Sequence, residues 1–169
     1  DSIAGEGMIF TDAHAGSAVC TPTRYGVLTG RYAWRSRMKR GVLNGYSPHL
    51  IEDGRMTVAS FLKKQGYHTA YIGKWHLGWD WGKDDKGKVD FTKPVKNGPN
   101  VNGFDYAYGH CGSLDMAPYV YVENGTVTAR PNRVTGSKDT YGWFRKGPTG
   151  ADFEHIDVLP NFTRRGVKY

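Results

Sequence analysis

Cysteine is scarce in this sequence: 169 residues contain two, Cys20 and Cys111. Two thiols make no disulfide framework, so the fold must rest on a packed core. No long apolar run is present, which argues against a membrane span. No dense block of Lys or Arg is found either; the nearest is the stretch from Arg31 to Arg40. The N-terminus lacks an initiator Met, a basic n-region and an apolar h-region, so no signal peptide is read in this chain. Its first residues read instead as the tail of a helix cut by a boundary.

What is present is a basic, aromatic-rich chain. The hydrophobic share is 38%, aromatics make up 14% and the formal net charge is +7. The charge suits an anionic partner such as a nucleic acid, an anionic lipid or a sulfated glycan, and equally a solvated basic surface. Asn124-Gly125-Thr126 and Asn161-Phe162-Thr163 match the glycosylation sequon, a short pattern that carries little information alone.

Local patterning predicts an α/β fold. Met8-Ile9-Phe10 reads as a short strand. Pro22 suits a first helical turn, where its missing N–H has no partner to lose, and the helix should stop at Gly30. Thr57 reads as an N-cap, with Val58, Phe61 and Leu62 on one buried face. Tyr67 to Ile72 follows as a strand ended by Gly73, which gives helix, tight turn and strand. Phe104 to Tyr108 reads as another strand. Tyr119 to Glu123, the turn Asn124-Gly125 and Thr126 to Thr128 read as a hairpin. Residues 79–102 and 132–150 are polar and rich in Gly, and are expected to be surface loops.

The chemistry centres on Cys20-Thr21-Pro22-Thr23-Arg24. In a helix, positions 20 and 24 share a face. The helix N-terminus adds unpaired N–H groups and a positive dipole end, which makes a local site for negative charge. A buried Cys beside a helix cap, and a thiolate nucleophile with a His base, are both open on these residues alone.

The longer string, Cys-x-Pro-x-Arg followed by Thr29-Gly30-Arg31, resembles the signature of the type I sulfatases. A second string, Gly66-Tyr67-His68-Thr69-Ala70-Tyr71-Ile72-Gly73-Lys74-Trp75-His76-Leu77-Gly78, resembles that family's other signature. The resemblance implies an alkaline-phosphatase-like mixed sheet flanked by helices, incomplete in this chain. Residues 1–169 would be part of an N-terminal catalytic domain, truncated at both ends. It also implies that a maturation enzyme oxidises Cys20 to formylglycine. One hydroxyl of the hydrated aldehyde then attacks sulfur and displaces the alcohol, and the second lets the intermediate collapse with release of sulfate. Arg24, one helical turn from Cys20, can hold an oxyanion or a polarised carbonyl-derived group, and the resemblance adds roles for two further residues. Lys74 contacts the sulfate and the hydrate. His76 hydrogen-bonds the hydrate and takes the proton that drives sulfate release. Ser113, in Gly112-Ser113-Leu114-Asp115-Met116-Ala117-Pro118-Tyr119, is a candidate for substrate contact.

The family also binds one divalent cation, usually calcium, through oxygen ligands. Its carboxylate pairs are not found at the expected places. Of the ligand set only modified Cys20 comes from this chain, and Asp12, Asp53 and Asp84-Asp85 take no metal role. The downstream His and Lys of the family are also missing, and His14, His49, His68, His110 and His155 lie in no motif that would replace them. The expected activity is therefore that of a longer enzyme acting on sulfated carbohydrates or aryl sulfates, with this chain inactive alone. The resemblance places that enzyme in the periplasm, outside the cell or in the lysosome. A non-catalytic anion- or glycan-binding module, and a phosphate or phosphonate ester hydrolase of the same superfamily, are the alternatives. No nucleic acid is expected as partner.

Overall fold

A computed structural model describes residues 1–169. After α1 (Ser2–Glu6), helix α2 spans Cys20–Thr29 and closes on Gly30, whose φ of +66° is the left-handed cap that glycine adopts without strain. Met8, Ile9 and Phe10 form no strand; they are exposed and extend between the two helices. Thr57 caps α3 (Val58–Lys64) through a reciprocal pair: its hydroxyl accepts from Ser60 N, and Ser60 Oγ accepts from Thr57 N. The expected buried face does not form. Val58 and Phe61 are exposed, and Ala59 is the buried residue of this short helix.

Strand β1 (Ala70–Lys74) begins later than the β-rich run and passes through Gly73 to Lys74. It pairs in parallel with β2 (Tyr106–His110), in a register that sets Lys74 opposite His110. β3 (Val122–Glu123) runs antiparallel to β2 and turns into β4 (Thr126–Val127). The turn is the expected hairpin, with Asn124 at φ +48° and Gly125 at φ +83°. The sheet order is β1-β2-β3-β4, a mixed sheet flanked by helices, as the α/β reading predicts.

Side chains alternate across β2. Tyr108 and His110 face helix α4 (Val158–Lys168), where Phe162 packs on both. On the other face β2 carries only Ala107 and Gly109. A Cβ on Gly109 would lie 1.9 Å from Gly73 O and 2.9 Å from Tyr71 Cε1, so β2 has no room for a side chain there. Tyr71 instead meets Trp75 and Phe104 edge to face, at 5.2 and 5.7 Å between ring centres. Two apolar clusters result. One gathers Tyr25, Trp75, Leu77, Trp79 and Trp81; the other gathers Tyr108, Tyr119, Tyr121, Phe153 and Val158. Arg165 ties α4 to the sheet, donating to Glu123 at 2.9 Å with its guanidinium 4.1 Å above the Tyr108 ring.

The two expected loops differ from one another. Residues 79–102 are irregular, yet Trp79, Trp81 and Val95 are core residues, and Trp81 Nε1 donates to Gly45 O at 2.8 Å. Residues 132–150 are mostly not loop. β5 (Pro131–Ser137) and β6 (Phe144–Gly150) pair as an antiparallel hairpin with two register irregularities. Its Gly and Lys content obscured the alternation in the sequence.

Candidate active site

Helix α2 starts at Cys20 because Val19 is extended and Thr23 folds back over the first turn. Thr23 N donates to Val19 O at 3.2 Å, and its hydroxyl donates to Ser17 O at 2.5 Å. No side chain caps this end, so the positive end of the helix stays open beside Cys20. Cys20 is half-buried and unpaired. Cys111 is also free but buried, its thiol against Pro118 O, and burial pushes that thiol up to about 12.

One turn along, Arg24 donates to the carbonyl oxygen of Lys74 at 2.5 Å. The guanidinium therefore spans from α2 to the end of β1. Arg31, the last residue of the first signature, points elsewhere. It pairs with Glu52 at 3.2 Å, the carboxylate that also accepts from the buried Tyr25 hydroxyl at 2.7 Å. Its part is to hold the helix.

Lys74 closes β1, and its ammonium donates to Ser113 Oγ at 2.8 Å. The loop that carries Ser113 is held from two sides. The guanidinium of Arg145 pairs with the Asp115 carboxylate, and His155 Nε2 donates to Leu114 O at 2.9 Å.

The chain does not remain extended past Lys74. His76 has φ +55°, so it does not follow the alternation that would point it alongside Lys74. Its backbone N donates to Cys111 O at 3.1 Å, and its fully buried ring sends Nε2 to Leu43 O at 2.7 Å. A carbonyl can only accept, so Nε2 carries the proton and Nδ1 presents a lone pair. That Nδ1 is buried with no partner. Burial holds the imidazole below the usual histidine value, opposed by the Leu43 bond; the Lys74 and Arg24 charges lower it further and Asp115 raises it. Leu43 also donates its backbone N to the hydroxyl of Thr21 at 3.2 Å. One residue thus joins the neighbour of Cys20 to His76.

The structure brings Arg24 to Lys74 and Lys74 to Ser113, and links His76 to the start of α2 through Leu43. Sequence reasoning missed Leu43, because its role is entirely main-chain. It also passed over His110, which the strand register places opposite Lys74. Burial drives His110 down to about 3, with Lys74, His76, Arg24 and His155 adding in the same direction. No three His, Cys, Asp or Glu side chains converge anywhere as a metal cradle. Asp84 accepts from Lys86 N and Lys88 N in its own turn, and Asp80 from His49 and Asn97. The residues of this chain therefore do not fit a calcium ion by themselves.

Comparison with known proteins adds an independent line. The family model described as Sulfatase matches residues 1–134 and ends within β5. An N-acetylgalactosamine-6-O-sulfatase of Bacteroides thetaiotaomicron is 42% identical over 127 residues, covering 75% of this chain and 24% of that protein. Arylsulfatase G of Mus musculus is 37% identical over 119 residues, covering 69% of this chain and 19% of that protein. A solved structure from work on the metabolism of multiple glycosaminoglycans by Bacteroides thetaiotaomicron superposes with a TM-score of 0.77 at 30% identity. It covers 99% of this chain and 41% of its own. The chain spans about a quarter or less of the length of these two curated relatives.

Proposed function

Because the chain belongs to the sulfatase family, we propose that it forms part of an enzyme that hydrolyses sulfate monoesters of sulfated carbohydrates. In this reading a formylglycine made from Cys20 is the nucleophile. The observation that carries it is the joining of the two signatures by the bond from Arg24 to Lys74 O, with Cys20 on the same helix as Arg24. Similarity to a protein named as an N-acetylgalactosamine-6-O-sulfatase supports a sulfated amino sugar as substrate.

Maturation would be a two-electron oxidation by a partner enzyme using dioxygen as oxidant: the Cys20 C–S bond breaks and sulfur leaves as hydrogen sulfide, water supplies the aldehyde oxygen, and dioxygen takes the two electrons and two protons as hydrogen peroxide. The hydrated aldehyde would supply one hydroxyl to attack sulfur with departure of the alcohol, and the second hydroxyl, on losing its proton, would expel sulfate and restore the aldehyde. Arg24 and Lys74 bring positive charge to the sulfate oxygens, Lys74 as a point charge and Arg24 as a planar fork. Ser113 holds the Lys74 ammonium in place. Neutral His76, with its unpartnered Nδ1, accepts a proton from a hydroxyl at this site. A calcium ion in the complete enzyme would take its remaining ligands from outside these residues. The localisation in the periplasm, outside the cell or in the lysosome is part of the same proposal.

Mass spectrometry of the Cys20 peptide, from a host that modifies such motifs, tests the reading. Conversion removes about 18 Da by the chemistry of the thiol. An intact thiol in that host would overturn it.

A further inference from the structure

The β5–β6 hairpin takes no part in the chemistry just described, yet its composition is unlike a structural strap. Residues 131–150 carry four basic side chains, Arg133, Lys138, Arg145 and Lys146, against the single acid Asp139. Arg133 is paired with Glu154 and Arg145 with Asp115. Lys138 and Lys146 are exposed and have no acidic partner. The same hairpin shows two large aromatic rings to solvent: Tyr141 is fully exposed and Trp143 is 51% exposed. One side of Trp143 carries the Arg145 guanidinium, 5.0 Å from the ring centre, a contact that holds the indole in place. A groove of about 490 Å³ runs along the hairpin, with Trp143, Lys138 and Lys146 among its walls.

The root of the hairpin is joined to the loop of the candidate active site. Arg145 N donates to Asp115 O at 3.2 Å, and the Tyr119 hydroxyl donates to Arg145 O at 2.6 Å. A Cβ on Gly147 would lie 2.1 Å from Ala117 Cβ, so the strand is pressed against the segment that follows Ser113. Asp115 is two residues from the serine that binds Lys74. A ligand lying along the hairpin thus adjoins the segment that positions the sulfate-binding lysine.

We propose that this hairpin is a recognition arm for the sulfated saccharide chain beyond the scissile sulfate. Trp143 is the stacking platform, and Lys138 and Lys146 meet further sulfate groups. A sugar ring offers an apolar C–H face that matches an indole, while its sulfates are spread along the chain at intervals that separate cations can follow. Buried structural lysines would be paired, and a purely structural tryptophan would be covered. This assignment rests on the sulfatase reading for the choice of ligand, but its test does not require turnover.

The test is calorimetric titration of the 169-residue chain with a chondroitin sulfate hexasaccharide and with the same hexasaccharide desulfated. Trp143→Ala and the double variant Lys138→Ala/Lys146→Ala are measured alongside. Both sets of side chains are exposed, and circular dichroism checks that each variant is folded. The wild-type chain should bind the sulfated form, and each variant should weaken binding about tenfold or more, which is about 1.4 kcal/mol. The desulfated form should bind about tenfold more weakly. No binding by the wild type, equal affinity in either variant, or equal affinity for the desulfated form would overturn the arm. So would a single-stranded DNA that binds as tightly and is indifferent to Trp143. An unmodified Cys20 would defeat the sulfatase chemistry while leaving this binding result standing, so the two failures are distinguishable.

Discussion

The Arg24 guanidinium donates a 2.5 Å hydrogen bond to the carbonyl oxygen of Lys74, so a side chain from one signature fixes the main chain of the other. A lysine at position 24 carries the same charge but lacks the planar fork, and cannot both hold that carbonyl and face an anion. Arg24→Lys should lower kcat/KM of the complete enzyme by about a hundredfold or more, and the stability of the chain by about 1 kcal/mol. Steady-state kinetics and urea denaturation check the two effects. A variant with wild-type kinetics removes Arg24 from the site.

Cys20→Ala separates chemistry from folding. Cys20 is half-buried and makes no disulfide, so its loss should change stability by no more than about 1 kcal/mol. Turnover of a sulfated substrate by the complete enzyme should vanish. Retained turnover would sink the mechanism.

His110 gives the fold an acid-sensitive point. Its imidazole titrates at about 3 in the folded chain, because burial disfavours the cation, against about 6.5 when unfolded. Above the unfolded value both states are neutral and the stability is complete. As the pH falls from there toward the folded value, the unfolded chain takes up a proton that the folded chain refuses, so stability drops. Urea denaturation should show a loss of about 2 kcal/mol from this group between about pH 7 and 5. His110→Phe, placed against Phe153 and Phe162, should make that pH dependence shallower. It should not abolish it, since His76 and His155 are also held low by burial. An unchanged slope would mean that His110 takes up its proton as readily in the folded chain as in the unfolded one.

Gly109→Ala tests the approach of the two parallel strands. The new methyl would meet the Gly73 carbonyl at 1.9 Å, and backbone cannot swing aside as a side chain can. A loss of about 3 kcal/mol is expected, seen as a lower thermal midpoint. A stable variant would show that β1 and β2 can separate at the end that carries Lys74.

Much of this architecture was legible where one local rule governs one element. Pro22 and Gly30 marked the ends of α2, Thr57 capped α3, and Asn124-Gly125 turned the β3–β4 hairpin. Failures came where tertiary contacts decide. Phe61 has the spacing of a buried residue, but α3 packs through Ala59. Gly73 resembled a terminator, yet the ladder to β2 carries the strand past it to Lys74. The β5–β6 hairpin lacks clean alternation because Gly136, Gly147 and Pro148 interrupt it and its register shifts twice. In the candidate site, Cys20, Arg24, Lys74 and His76 were named by their strings. The left-handed turn at His76 and the bridge through Leu43 were not, since neither leaves a mark on side-chain identity.

That bridge separates what evolution can vary from what it must keep. Leu43 serves Thr21 with its N–H and His76 with its C=O, while its side chain belongs to the core. Another apolar residue of similar volume can retune the packing at position 43 without altering either link. Proline, which has no N–H to offer, would uncouple the helix from the histidine. The site is therefore insulated from the repacking of its own core.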